Sequence, residues 1–158
     1  MNTISLDIRS FGADTQHSDN APFIQKAVDS AAESGGGRVT IPDGTFRSGM
    51  IELRSHVELH LSHGACLKSV LEAIPDPLSK AIEPTTNNRR WLIGGIGVKG
   101  AAITGDGIID GSGSDFWEID PEKEYPLFGQ RYWPKFHRPK GLIHFRNSEH
   151  IALKDFTL

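Results

Sequence analysis

Three stretches constrain the fold of this chain more than any other feature: HVELHLSHGACL (His56 to Leu67), AAITGDGIIDG (Ala101 to Gly111) and HIALKDFTL (His150 to Leu158). In each, apolar residues alternate, pause at a small or polar turn, and resume. Alternation with period two puts one set of side chains on one face of a strand. A single rung of this kind cannot bury its apolar face, whereas rungs piled on one another share a continuous core. Three imperfect rungs with insertions between them therefore predict a mainly β solenoid. Earlier apolar positions fit the same scheme: Val39 and Ile41, Phe46, Ile51 and Leu53 mark short strands separated by turns such as Pro42 to Gly44. Seventeen Gly, nine Pro and only two Met favour many turns and a core of small aliphatics.

Ahead of the rungs the period changes. Ile4 to Phe11 alternates loosely and reads as a first strand, and Gly12 to Asn20 as a polar loop. Phe23, Ile24, Ala27, Val28, Ala31 and Ala32 then recur at helical spacing, with Pro22 in the first turn and Asp19 or Asn20 as the capping residue. A helix over 22–34 follows, ended by Gly35 to Gly37, and its place before the first rung suits it to cap the open end of the stack. The whole of 1–158 reads as one domain, from which Leu71 to Asn88 and an insertion over 112–140 project as loops.

Charge narrows the partners. The net charge is −3 with acids and bases scattered, so no basic patch indicates nucleic acid and no basic amphipathic segment indicates a membrane surface. The start of the chain, interrupted by Asp7 and Arg9, lacks a secretory leader, and no apolar run reaches 18 residues. As given, the chain reads as cytoplasmic, with a secreted or periplasmic place open if a leader is missing. The lone Cys66 reads as a buried small hydrophobe.

Few residues suggest chemistry. Asp106 and Asp110 would stand about 13 Å apart on one extended strand, beyond the roughly 6.5–9.5 Å of an inverting carboxylate pair; a bend at Gly107 would bring them closer, but Asp before Gly is ordinary turn chemistry. His56 and His60 alternate against Val57, Leu59 and Leu61, which places both on a solvated strand face. Gly35 to Gly37 follow a helix instead of preceding one, so they are a helix end and no phosphate cradle. Arg131, Trp133, His137 and Arg138 interleave cations with aromatics, the composition of a wall for an acidic sugar; a loop folded on its own aromatics is the other reading.

Taken together, FGAD (Phe11 to Asp14), the segment Asp19 to Phe46, SHVELHLSHGACL, ITGDGIIDGSG (Ile103 to Gly113), Trp117 and RPKGLIHFRNSEHIALKDFTL (Arg138 to Leu158) resemble family 28 of the glycoside hydrolases, the polygalacturonase-like enzymes. That resemblance implies a right-handed parallel β-helix and inverting hydrolysis of galacturonosyl bonds in pectic polysaccharide, with no metal and no organic cofactor. The family's Asn-Thr-Asp, Asp-Asp, Gly-His-Gly and Arg-Ile-Lys segments have no counterpart here. The expectation is thus the N-terminal portion of such an enzyme, truncated before its catalytic residues and inactive alone, with Arg131, Trp133, His137 and Arg138 as substrate-binding residues. A non-catalytic solenoid binding acidic polysaccharide or a partner protein is the alternative. Apolar Ile151, Leu153, Phe156 and Leu158 on the last rung would favour self-association.

Overall fold

The computed structural model describes residues 4–70, 91–119, 132–134 and 141–158. Its strands are short because each apolar run is short. They are β1 (Ile4–Asp7), β2 (Gly37–Ile41), β3 (Gly44–Ser48), β4 (Ile51–Glu52), β5 (Val57–Leu61), β6 (Ala65–Ser69), β7 (Ile93–Ile96), β8 (Ala102–Gly105), β9 (Ile108–Asp110), β10 (Trp117–Ile119), β11 (Tyr132–Pro134), β12 (Ile143–Arg146) and β13 (Ala152–Leu153). Among the described residues one α-helix, α1 (Ala21–Glu33), stands between β1 and β2.

Successive rungs stack through three parallel sheets. Sheet A runs β1-β2-β5-β8-β13, sheet B runs β3-β6-β9, and sheet C runs β4-β7-β12. The chain visits A, B and C in turn and then returns to A, which makes it a parallel β-helix. Register keeps like residues in columns: Leu6, Val39, Leu59, Ile103 and Leu153 pair across sheet A, and Phe46, Leu67 and Ile109 across sheet B. Val39, Leu59, Ile103, Phe46, Leu67 and Ile109 are all fully buried. Each such aliphatic side chain contributes roughly 1.5–3 kcal/mol relative to exposure, so the inward columns hold the coils together. Where the stack ends, Leu153 is 50% exposed and Leu158 69% exposed.

α1 buries Ile24, Ala27, Val28 and Ala31 against the first coil. It begins at Ala21 and ends at Glu33, one residue earlier than its periodicity predicts. Asn20 holds the N-cap position but its side chain makes no bond to the helix; Asp19 makes the bond to the first helical amide. Asp19 Oδ1 accepts from the amides of Ala21 and Gly49, both at 2.8 Å, while the Asn20 side chain accepts from Asp14 N and donates to the Arg47 carbonyl. The Gln25 amide then exchanges two hydrogen bonds of 2.9 Å with the Glu52 backbone, so the helix satisfies the edge of β4 that it covers.

Left-handed residues mark the corner between sheets C and A. Gly36, His56, Gly100 and His150 follow one another coil by coil, each just before a sheet A strand, with φ of 116°, 63°, 67° and 56°. The corner conformation is imposed by the coil and is met by glycine in two coils and by histidine in two.

Three expectations need correction. Only Ile4–Asp7 of the first segment is strand; Ile8–Phe11 closes into a 3-10 turn, with Asp7 accepting from Arg9 N. Cys66 is half-buried, because the alternation of β6 sends Ala65 and Leu67 inward and Cys66 out between Thr45 and Ile108. His56 lies in the corner turn and not on a strand, and His60 is hydrogen-bonded instead of freely solvated.

Candidate functional site

The solenoid is regular except at one corner. From sheet B to sheet C the first coil needs only Gly49 and Met50, whereas the second coil spends 70–92 there and the third 111–142. Both long connections therefore lead onto sheet C, at neighbouring strands β7 and β12, which are paired from Ile93↔Ile143 to Ile96↔Arg146. The loop predicted over Leu71 to Asn88 lies outside the described residues. Within 112–140 the structure shows a 3-10 turn, Gly113–Phe116, and an antiparallel ribbon in which β10 pairs with β11.

The outer face of sheet C sits where these connections arrive. Alternation sends Ile51, Leu53, Ile93, Ile143 and Phe145 toward the core. Glu52, Gly94 and His144 share one register row on the opposite side, and Arg146 follows His144 two residues on. Trp91 packs against this row, 2% exposed and stacked on the His144 ring at 5.3 Å and 11°. Gly94 makes room for it, since a Cβ there would collide with the His144 carbonyl and stand 2.7 Å from the indole Cδ1 and Nε1. The indole N–H has no hydrogen-bond partner among the described residues.

Charge on this face is uneven. Arg54 donates to Asp29 at 2.8 Å and approaches Glu52 at 3.3 Å. Burial works against its charge, but the hydrogen bond and charge of Asp29 outweigh that, and its pKa rises. Arg146 is exposed and has no ion pair among the described residues. A guanidinium with open donors beside an aromatic stack can receive a planar anion such as a carboxylate.

Of the residues singled out in the sequence, Arg131, His137 and Arg138 lie outside the described residues. Trp133 pairs with Glu118 on the ribbon, and its side chain lies outside the described set too. Asp106 and Asp110 are each occupied: Asp106 bonds His63 Nδ1 at 2.9 Å, and Asp110 accepts from Ser112 N at 2.8 Å and pairs with Lys68 at 3.3 Å. The His63 bond lowers the Asp106 pKa, and the Ser112 amide lowers that of Asp110. Both therefore tie one coil to the next. Trp91, His144 and Arg146 were missed. Leu92-Ile93 and Leu142-Ile143, fifty positions apart in the same setting, are the signal that aligns these two strands.

Among the described residues no group of three metal-ligating side chains occurs, and no helix is long and apolar enough to cross a membrane.

Three parallel sheets stacked coil upon coil, closed by a helix and carrying long connections at one corner, define the class: a parallel β-helix protein. Among solved structures, the chain is similar to the family 28 exopolygalacturonase of Yersinia enterocolitica, with TM-score 0.69 and 25% identity over 98% of this chain and 34% of that one. It is likewise similar to a putative glycosyl hydrolase from Parabacteroides merdae (TM-score 0.68, 22% identity, 97% of this chain and 63% of that one). A hyperthermoactive exopolygalacturonase from Thermotoga maritima gives TM-score 0.66 and 21% identity over 97% of this chain and 41% of that one. This chain thus spans between about a third and two-thirds of the length of these proteins. No protein-family model matches it. No curated protein matches it.

Proposed function

We propose that this chain is a polygalacturonase-like β-helix whose sheet C face binds an acidic, galacturonosyl polysaccharide. The observation that carries this is the superposition of 98% of the chain on the exopolygalacturonase of Y. enterocolitica. The chemistry of the face agrees: exposed Arg146, which has no ion pair among the described residues, suits a sugar carboxylate, and the half-buried His144 ring, backed by the buried Trp91, lies two residues away on the same face. Arg131, Trp133, His137 and Arg138 belong in sequence to the connection that enters β12, and in this reading they too contact the sugar.

The parent reaction would be hydrolysis with inversion, in which one carboxylic acid protonates the leaving oxygen and a carboxylate activates water, the two roughly 6.5–9.5 Å apart. The strands of sheet C hold one carboxylate, Glu52, already engaged with Arg54. The proposal therefore assigns binding, not turnover, to this chain by itself. Calorimetry with tetragalacturonate should show binding that weakens in Arg146→Met and His144→Ala, while polygalacturonate releases no reducing ends. Absence of binding would sink the assignment of the face. Turnover by the isolated chain would sink the assignment of roles.

A further inference from the structure

The outer face of sheet A holds a hydrogen-bond chain that fixes the tautomer of one imidazole. Thr104 Oγ1 lies 2.6 Å from Glu58 Oε1. An ionised carboxylate only accepts, so the hydroxyl proton is donated there. Arg38 grips the same carboxylate through Nε and Nη2 at 2.9 and 3.1 Å. With its one proton committed, Thr104 Oγ1 can only accept from the ring nitrogen 2.8 Å away, His60 Nδ1. Neutral His60 therefore carries its proton on Nδ1 and a lone pair on Nε2. The side chain is 27% exposed, and no partner for Nε2 is present among the described residues.

Sheet register gives this lone pair its company. Asp7, Thr40, His60 and Thr104 occupy one outward column on β1, β2, β5 and β8. Asp7, whose Oδ1 already accepts from Arg9 N and whose second oxygen is the one left to the strip, Thr40 and His60 thus place a carboxylate, a hydroxyl and an imidazole lone pair on three adjacent strands, each about 4.8 Å from the next. A row of acceptors at a constant step calls for a ligand that presents donors at a comparable step. The hydroxyls of an extended polysaccharide lying across the strands do so.

We propose that the Asp7, Thr40 and His60 column of sheet A is a saccharide-binding strip in which His60 Nε2 accepts a hydrogen bond from a sugar hydroxyl. The strip is on a different sheet from the face assigned above, recognises hydroxyls and not carboxylates, and does not rest on the galacturonosyl reading.

The test uses two-bond imidazole proton–nitrogen spectra of the whole chain at about pH 8.5, well above the ordinary imidazole pKa. His60 should show the Nδ1–H pattern. Thr104→Val should shift it toward Nε2–H, and Thr104→Ser should restore it, which a merely space-filling threonine would not do. Neutral 1,4-linked galactotetraose should then move the His60 Nε2 resonance saturably. Thr40→Ala or His60→Ala should weaken that binding roughly three- to tenfold, the worth of one hydrogen bond, and His56→Ala should not. An Nε2–H tautomer in the parent chain, or no saturable response of His60 to galactotetraose, overturns the proposal. Failure of tetragalacturonate to bind sheet C leaves it standing, because the His60 resonance reports on sheet A alone.

Discussion

Sheet A and the corner between sheets B and C are built from the same coils but meet opposite standards of polar satisfaction. On the outer face of sheet A, Arg38, Glu58, Thr104 and His60 form a chain in which each member has a partner on a neighbouring strand. At the corner, Trp91 Nε1 and Ser69 Oγ are buried with no partner among the described residues. Buried polar groups are rarely left unpaired, since each costs about 1–3 kcal/mol. The difference teaches that the sheet A ladder serves coil cohesion as built, while the corner tolerates a local loss in order to carry its long connections.

The largest effect should come from the corner's tightest point. Gly94→Ala places a methyl group against a backbone carbonyl, which no rotamer change relieves, and should cost about 3 kcal/mol or more. Thermal unfolding of the variant checks this. A loss below about 1 kcal/mol would mean that β7 and β12 can move apart, and that the Trp91 stack is not held by the register.

The next effect tests the ladder. Burial opposes ionisation of Glu58, but the hydrogen bonds from Arg38 and Thr104 outweigh it and lower its pKa. A lowered folded pKa stabilises above the unfolded value of about 4.3, and that stabilisation is lost as pH falls through the folded value. Glu58→Gln should therefore cost about 1–2 kcal/mol at neutral pH, allowing for partial exposure. The gap between the two proteins should close on acidification below about pH 4. A gap that stays constant with pH would show that the carboxylate's charge contributes nothing.

The two regions also differ in how far the sequence reveals them. Leu59, Leu67 and Ile109 could be assigned inward from alternation alone, because burial of one strand face is a local pattern repeated in register. The helix was equally legible, since proline, an Asx pair and three glycines punctuate it. Alternation says only that a side chain points outward, not what it meets. His60 and Cys66 were therefore misjudged, the one bonded across forty-four residues to Thr104 and the other turned out of the core by the parity of β6. The corner was least legible, because Trp91 sits beside an insertion and earns its place from Gly94 and His144, residues with no alternating signature of their own.

A smaller effect compares two serines at the corner. Ser69 Oγ is buried without a partner among the described residues, whereas Ser112 Oγ donates to the Ser69 carbonyl at 2.8 Å. Ser69→Ala removes a desolvated hydroxyl and should stabilise by about 1 kcal/mol, while Ser112→Ala should destabilise by about as much. Equal signs in denaturant titrations would indicate that the Ser69 hydroxyl is satisfied in solution, and the corner would then be less frustrated than the contrast with sheet A implies.

The smallest effect is the most discriminating, because two contributions should cancel. Trp91→Phe deletes an indole N–H that has no acceptor among the described residues, which recovers about 1–3 kcal/mol of desolvation. It also removes ring volume from a site 2% exposed, and the resulting void costs a similar amount. The net change in unfolding free energy should lie within about 1 kcal/mol, although a large buried aromatic has been replaced. If the indole N–H did have an acceptor, the variant would lose a hydrogen bond as well as volume, and destabilisation well above 2 kcal/mol would follow. That result would leave the sheet C face with its buried indole satisfied, and would remove the physical contrast between it and the hydrogen-bonded ladder of sheet A.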